Sequence, residues 1–303
     1  DSTIAWFGNP DGGQRLPMHE IMARASALTE AGGASQLMIG LATRMISLTL
    51  RITMVEAAGA VHCEKGWAAI AETPGSADRL AAAGAYFGTS VGWEYPDWFA
   101  PEGVDPKVEY SWGRQNWFEY AAAEHRAVRD DVALMDLTHM AKILVQGRDA
   151  EQVLNRVCAN NVAVPVGRIV YTQWLNERGT IEADLTVTRL TEDSYLLVVG
   201  DVFQAHVETW LQKHIPPGAH VFLADVTSAY NILSVQGPKS RQLIGGLTHV
   251  DMSNEAFPYL TMQEIDMGYA PVKALRLTFV GELGWELYVP TEFTLHVFDQ
   301  LVE

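Results

Sequence analysis

The sequence predicts an α+β fold of duplicated βαββ-type units with mostly antiparallel sheets. Two observations predict it. Residues 185–211 (LTVTRLTEDSYLLVVGDVFQAHVETWL) align without a gap to residues 275–301 (LRLTFVGELGWELYVPTEFTLHVFDQL), at an offset of 90 (275 − 185). The offset persists upstream, where Val145-Gln146-Gly147 matches Val235-Gln236-Gly237. Self-similarity at one offset with two copies means a duplicated unit rather than a solenoid. The second observation is the order of periods: strand, hairpin, strand and helix follow one another twice.

The elements can be justified in turn. Asp149 with Gln152 three residues on reads as an N-cap and capping partner, opening a helix to about Ala159. Tyr171–Asn176 is a strand, Glu177–Thr180 a turn, and Ile181–Leu190 and Tyr195–Gly200 strands around the turn Thr191–Ser194. A helix of about four turns follows Asp201. The second copy repeats the plan: strand Tyr230–Gln236, helix from Lys239, strand Lys273–Val280, turn Gly281–Gly284 and strand Trp285–Val289. Thr291 after Pro290 caps a final helix. The repeat covers about 141–213 and 231–303, within a domain of 119–303. Residues 77–118, dense in Trp, Tyr and Gly, read as an irregular aromatic packing arm. Residues 1–76 form an N-terminal segment of unassigned role, with an amphipathic helix near Met18–Thr29.

Composition narrows the chemistry. A net charge of −16 argues against nucleic acid or an anionic membrane surface as the main partner. Two cysteines, Cys63 and Cys158, make no disulfide framework and point to a reducing compartment. No secretory signal is read, and Leu37–Val61 is interrupted by Arg44, Arg51 and Glu56, so no membrane span is expected. No Gly-x-Gly-x-x-Gly or phosphate-loop pattern is present, which leaves no FAD or nucleotide site in this chain. His62, Cys63 and His139 lack metal-ligand spacing, so no metal is expected. His206 and His296 are repeat-equivalent and read as packing residues.

Charged residues that break the repeat are the candidates for function. At the offset of 90, Asp184 aligns with Ala274, Arg276 with Thr186 and Glu286 with Leu196. Alternation puts Asp184 opposite Leu185, Arg276 opposite Leu275 and Glu286 opposite Trp285. One reading makes these the solvated outer faces of half-buried strands. The other lets them line one crevice about a pseudo-two-fold, suited to a ligand with N–H donors and a carboxylate tail.

Several ordered motifs carry a family resemblance. Met135–Met140 with Val145–Ala150, Val170–Gln173, Gly179–Val187, Val235–Pro238 and Gly281–Leu287 resemble the aminomethyltransferase family of the glycine-cleavage T-protein. Arg79–Ala85, Gly92–Glu94, Pro96–Phe99 and Gly113–Glu119 are similar to the folate-binding half of dimethylglycine and sarcosine dehydrogenases and oxidases. The resemblance implies a tetrahydrofolate site in a central funnel. It implies Asp184 as the catalytic acid and Glu286 as the glutamate that holds the pterin, with Tyr171, Met140 and Leu175 lining the pocket. Arg276 is implied as structural or ligand-facing, and Phe279 stands where the family often has a tyrosine. A weakly basic Asp184 is expected to gain basicity by burial in the funnel.

The expected activity is transfer of a methylene unit from an N-methylglycine-derived iminium, giving 5,10-methylenetetrahydrofolate. The expected partners are folate, a small N-methylated amine donor and a flavoprotein that supplies the FAD half. Alternatives are a stand-alone aminomethyltransferase and a truncated folate-binding module without catalysis. The family's C-terminal β-domain is expected to be missing. The expected compartment is bacterial cytoplasm or mitochondrial matrix, with no secretion.

Overall fold

The computed structural model describes residues 80–302. The helix expected near Met18–Thr29, and the whole segment 1–76, lie outside the described residues.

Two five-stranded antiparallel sheets form the body. The first has the order β5 (Ile169–Leu175), β6 (Ile181–Thr191), β7 (Ser194–Val199), β4 (Ala141–Gln146), β8 (Phe222–Asp225). The second has β10 (Thr261–Met267), β11 (Ala270–Arg276), β12 (Gly284–Pro290), β9 (Tyr230–Gln236), β3 (Ala133–Asp136). The orders match strand for strand, with one exchange. β3 opens the first copy but pairs with β9 of the second, while β8 opens the second copy and pairs with β4 of the first. Each copy thus completes the other's sheet.

The exchange is fastened reciprocally. Leu137 N–H donates to Ile232 O at 2.9 Å, and Val226 N–H to Lys142 O at 2.9 Å. Ile232 N–H donates to Thr138 Oγ1 at 3.1 Å, and Lys142 N–H to Thr227 Oγ1 at 3.0 Å. The repeated Gln-Gly after β4 and β9 has the same cause. Gly147 (φ +134°) and Gly237 (φ +124°) lie against His220 O and Asp131 O, where the exchanged strands approach. A Cβ would collide with that backbone at both positions, and the left-handed φ also favours glycine.

Alternation along the strands divides each sheet between two cores. Ala183, Leu185, Val187, Ile143, Val145 and Leu197 of the first sheet pack on the helices α2 (Ala150–Val157) and α3 (Gln204–His214). In the second sheet Leu233, Val235, Ala274, Trp285 and Leu287 pack with α5 (Thr294–Val302) and with Ile244 of the short α4 (Ser240–Gly245). A third core, with Ile169, Leu196, Val198, Ile232, Leu275 and Tyr288, joins the inner faces of both sheets. The result is helices, sheet, sheet, helices.

Four local expectations change. Residues 77–118 are not irregular throughout: β1 (Ala85–Ser90) and β2 (Trp93–Phe99) form an antiparallel hairpin, anchored by Trp98 stacked on Tyr120 of α1 (Phe118–Asp130). The Asp149 carboxylate accepts the His220 N–H at 2.7 Å rather than a helical N–H. It therefore tethers the exchanged segment before β8. Thr291 Oγ1 donates to Ser228 O, and α5 starts after a short 3-10 turn at Thr291–Phe293. The strand expected at Lys273–Val280 lies at Ala270–Arg276.

That last shift changes the repeat register. Leu196 pairs with Thr188, whereas its counterpart Glu286 pairs with Leu275. Thr188 is therefore equivalent to Leu275, an offset of 87 (275 − 188) on this strand. The longer β11–β12 connection absorbs the three residues. A slip by an odd number reverses the faces.

Candidate functional site

The register shift decides which candidates meet. Arg276 becomes equivalent to Arg189 (276 − 189 = 87), not to Thr186. Both arginines do the same thing. Arg189 lies over the Tyr195 ring at 5.4 Å and bonds the carbonyls of Val164, Thr191 and Glu192. Arg276 lies over the Trp285 ring at 5.4 Å and bonds Phe257 O and Asn254 Oδ1. Trp285 and Phe257 belong to the helix-side core, so Arg276 is on the face opposite Glu286. The expectation that Arg276 lines a crevice with Glu286, or contacts a ligand there, is corrected. The arginine ties a long connection to its own sheet in both copies.

Glu286 does face inward. It is 5 % exposed and alternates with Trp285 and Leu287, which face the helices. Tyr288, one strand step on, donates its hydroxyl to Glu286 Oε2 at 2.9 Å. Burial pushes the Glu286 carboxyl up to about 7; the Tyr288 bond and the positive charge of Lys142 act in the opposite direction. Its neighbour on β9 is Ser234. The equivalents of Glu286, Tyr288 and Ser234 in the first copy are Leu196, Val198 and Leu144. The second copy therefore supplies a polar inner face where the first supplies an apolar one.

Lys142 reverses the pattern and was not among the sequence candidates. Its equivalent is Ile232, because Lys142 pairs with Val198 as Ile232 pairs with Tyr288. Both residues are fully buried. Lys142 Nζ donates to Thr138 O at 2.8 Å and to Met140 O at 2.9 Å, drawing in the turn after β3. Burial pulls the ammonium down to about 8, against the opposing effect of Asp136, Asp225 and Glu286. The sequence signal was a lysine at an inward position of the strand Ala141–Gln146, legible only once the registers were known.

Asp184 and Tyr171 are brought together on the inner face of β5 and β6. Tyr171 donates its hydroxyl to Asp184 Oδ2 at 2.6 Å. Burial, then the adjoining Asp184 carboxylate, pushes the Tyr171 phenol up, so it stays protonated and donating at neutral pH. Asp184 itself is exposed, and Tyr171 is 50 % exposed. The burial expected to strengthen Asp184 as a base is absent among the described residues. The strand equivalent of Asp184 is Pro271 rather than Ala274 (271 − 184 = 87). It still breaks the repeat.

The remaining candidates are placed as follows. Met140 is half-buried against the inner core, beside the turn that Lys142 holds. Leu175 ends β5 and Phe279 lies in the β11–β12 connection, and both are exposed. His206 bonds Glu182 at 3.1 Å, and His296 stacks on Tyr269, so these repeat-equivalent histidines differ in partner. Among the described residues no group of three or more His, Cys, Asp or Glu side chains is arranged to hold a metal ion. None of their helices is long and apolar enough to cross a membrane.

Comparison with known proteins follows the same body. A family model described as the GCVT N-terminal domain matches residues 76–303. A second, DoxX, matches residues 1–63. The chain is 41 % identical over 227 residues to 4-methylaminobutanoate oxidase (formaldehyde-forming) of Paenarthrobacter nicotinovorans, covering 74 % of this chain and 27 % of that protein. It is 33 % identical over 216 residues to mitochondrial dimethylglycine dehydrogenase of Mus musculus, covering 71 % and 25 %. The chain thus spans about a quarter of the length of these relatives. The glycine cleavage system aminomethyltransferase T of Bartonella henselae shares the fold, with a TM-score of 0.58 and 23 % identity, covering 74 % of this chain and 55 % of that one. From residue 76 onward, the chain belongs to the GCVT aminomethyltransferase family.

Proposed function

We propose that residues 119–303 form the folate-binding, one-carbon-transferring part of a dimethylglycine/sarcosine dehydrogenase-type system. The substrate is an N-methylglycine-derived iminium and the product 5,10-methylenetetrahydrofolate. The flavin half belongs to a separate segment or partner, and residues 77–118 brace the body. The observation that carries the reading is Glu286: a buried carboxylate on an inner face whose counterpart in the first copy is Leu196. A fold does not need a carboxylate there, and burying one costs stability unless something pairs with it.

The residues fit a reduced pterin. In its ionised form Glu286 accepts hydrogen bonds only, as a ring edge with adjacent N–H donors requires. Met140, Leu196 and Leu275 supply apolar wall in the same core. Tetrahydrofolate, when bound, supplies the nucleophilic nitrogens that receive the one-carbon unit. In this reading Asp184 takes or returns the proton that bond formation displaces, and the Tyr171 hydroxyl that bonds its carboxylate supports that role. The relatives' names support the N-methylated amine as donor, since they act on methylaminobutanoate and dimethylglycine. The reading places the chain in bacterial cytoplasm or mitochondrial matrix. The exposure of Asp184 favours a second reading, a folate-holding module without turnover.

The test is anaerobic titration of tetrahydrofolate into wild type, Glu286→Ala and Asp184→Asn, followed by single-turnover transfer. Glu286→Ala should weaken binding by about 1–3 kcal/mol through unpaired pterin donors. Asp184→Asn should hold binding within several-fold and lower transfer by about 100-fold or more. Full turnover by Asp184→Asn would remove it from the mechanism. Binding without transfer by wild type would establish the second reading.

A further inference from the structure

The hairpin that carries Asp184 has a feature that its counterpart lacks. β5 and β6 pair Gln173 with Asp184 and Trp174 with Ala183, and then Leu175 with Ile181. Glu182 has no partner on β5, so it is the extra residue of a β-bulge. The corresponding hairpin of the second copy, β10 and β11, pairs without a break from Thr261 with Arg276 to Met267 with Ala270. The bulge decides what stands beside Asp184. In an unbroken β6, Glu182 and Asp184 are two residues apart and share the inner face. Two carboxylates side by side would compete for one proton and attract cations. The extra residue instead turns Glu182 to the helix side with Ala183, which belongs to the core under α2 and α3. Ile181 takes the vacated place, across from Leu175 and on the face of Tyr171 and Asp184, and both aliphatic side chains are exposed. Asp184 is thus the one carboxylate on the inner face of β6.

Glu182 is held on the helix side by both of its oxygens. Oε1 accepts from Asn176 Nδ2 at 2.7 Å, and Oε2 bonds His206 Nε2 at 3.1 Å. Asn176 is fixed in turn by the N–H groups of Arg178 and Thr180, which donate to its Oδ1 at 3.0 and 3.2 Å. The helix α3, which carries His206, is seated by buried Val207 and Leu211 and by Gln204, whose Nε2 donates to Asp225 Oδ2 on β8 at 2.8 Å. In the second copy the equivalent contact is a ring stack. Tyr269, in the place of Glu182 (269 − 182 = 87), lies on His296 with ring centroids 3.6 Å apart. Joining helix to hairpin therefore requires neither a carboxylate nor a bulge. Half-exposed ion pairs add little stability, so the pair matters for where Glu182 points.

Resting on the folate reading, we propose that His206 is a positioning residue for Asp184: it draws Glu182 to the helix side of the bulge and keeps a second carboxylate off the reacting face. Asp184 then acts as a single acid bordered by Leu175 and Ile181. A slip of the bulge by one residue would reverse the arrangement, because it returns Glu182 to the inner face.

The experiment separates this role from folate binding. In the first arm, cross-strand backbone NOEs of the full chain without ligand locate the bulge in wild type, His206→Ala and His206→Gln. His206→Leu serves if His206→Ala does not fold. The Leu175–Ile181 pairing should give way to Leu175–Glu182 in the apolar variants and persist in His206→Gln, which keeps a donor for Glu182. Persistence of the Leu175–Ile181 pairing in the apolar variants overturns the proposal. In the second arm, tetrahydrofolate binding and single-turnover transfer are measured. His206→Ala should lower transfer about tenfold while affinity stays within about twofold. Adding Glu182→Ala should restore most of the rate, because the misplaced carboxylate is gone. A double variant as slow as His206→Ala overturns the proposal, since lost packing is not repaired by removing a further side chain. Failure of wild type to bind tetrahydrofolate would defeat the folate reading alone, because the ligand-free arm still decides where Glu182 points.

Discussion

The two copies share strand order, exchanged first strand, Gln-Gly turn and an arginine over an aromatic ring, yet their inner faces differ. The first copy presents Leu144, Leu196 and Val198 with one lysine; the second presents Ser234, Glu286 and Tyr288 with one isoleucine. What recurs in both copies is explained by folding. What occurs in one only, at full burial, needs a ligand or a neighbour to explain it. The comparison assigns Arg276 to the first group and Glu286 and Lys142 to the second; Asp184 also occurs in one copy only, but exposed.

Four substitutions break or sharpen that division. The largest expected effect is on stability at Glu286. Burial raises its carboxyl from 4.5 to about 7, so the native state favours the protonated form. The sign follows: the penalty is absent below about pH 4.5, grows as the pH rises, and is complete above about pH 7. Glu286→Gln, which keeps an acceptor for Tyr288, should therefore stabilise the chain by roughly 3 kcal/mol near pH 8. The gain should vanish near pH 4.5 in thermal unfolding. Equal gains at both pH values would mean that charge burial is not the cause.

A smaller, symmetric effect is expected from the arginines. Arg189→Met and Arg276→Met should each cost about 1–3 kcal/mol, by loss of carbonyl bonds and a ring contact. Denaturant melts would measure the costs, and folate titration of the folded variants should show no change. A large loss of folate affinity in Arg276→Met alone, at unaltered stability, would return that residue to the site. The smallest effect belongs to Tyr171→Phe. Losing one hydrogen bond to Asp184 should slow single-turnover transfer by about three- to tenfold, corresponding to about 0.5–1.5 kcal/mol, without a shift in melting temperature. No change in rate would leave Tyr171 as a wall residue.

Much of the body was legible before folding. Strand Tyr230–Gln236 falls at its expected bounds, and the β6–β7 hairpin within a residue or two, because period-two alternation and turn residues are local signals. Asp184 and Glu286 stood out because they lack charged counterparts in the repeat. Arg276 was misplaced for a physical reason. The gapless alignment followed Leu185 to Leu275, while β11 pairs three residues out of that register. Sequence identity recorded the duplication, but backbone pairing, with a longer loop to absorb the difference, chose the face.

By itself the sequence determined the duplication, the strand, hairpin, strand and helix plan of each copy, and which residues depart from the repeat, since each is written in neighbouring side chains. Tertiary structure alone decided the exchange of β3 and β8 and the register of β11. The exchange joins residues from different copies, such as Leu137 and Ile232, 95 positions apart (232 − 137). Hydrogen-bond pairing and burial between two sheets set them, and no local pattern encodes either.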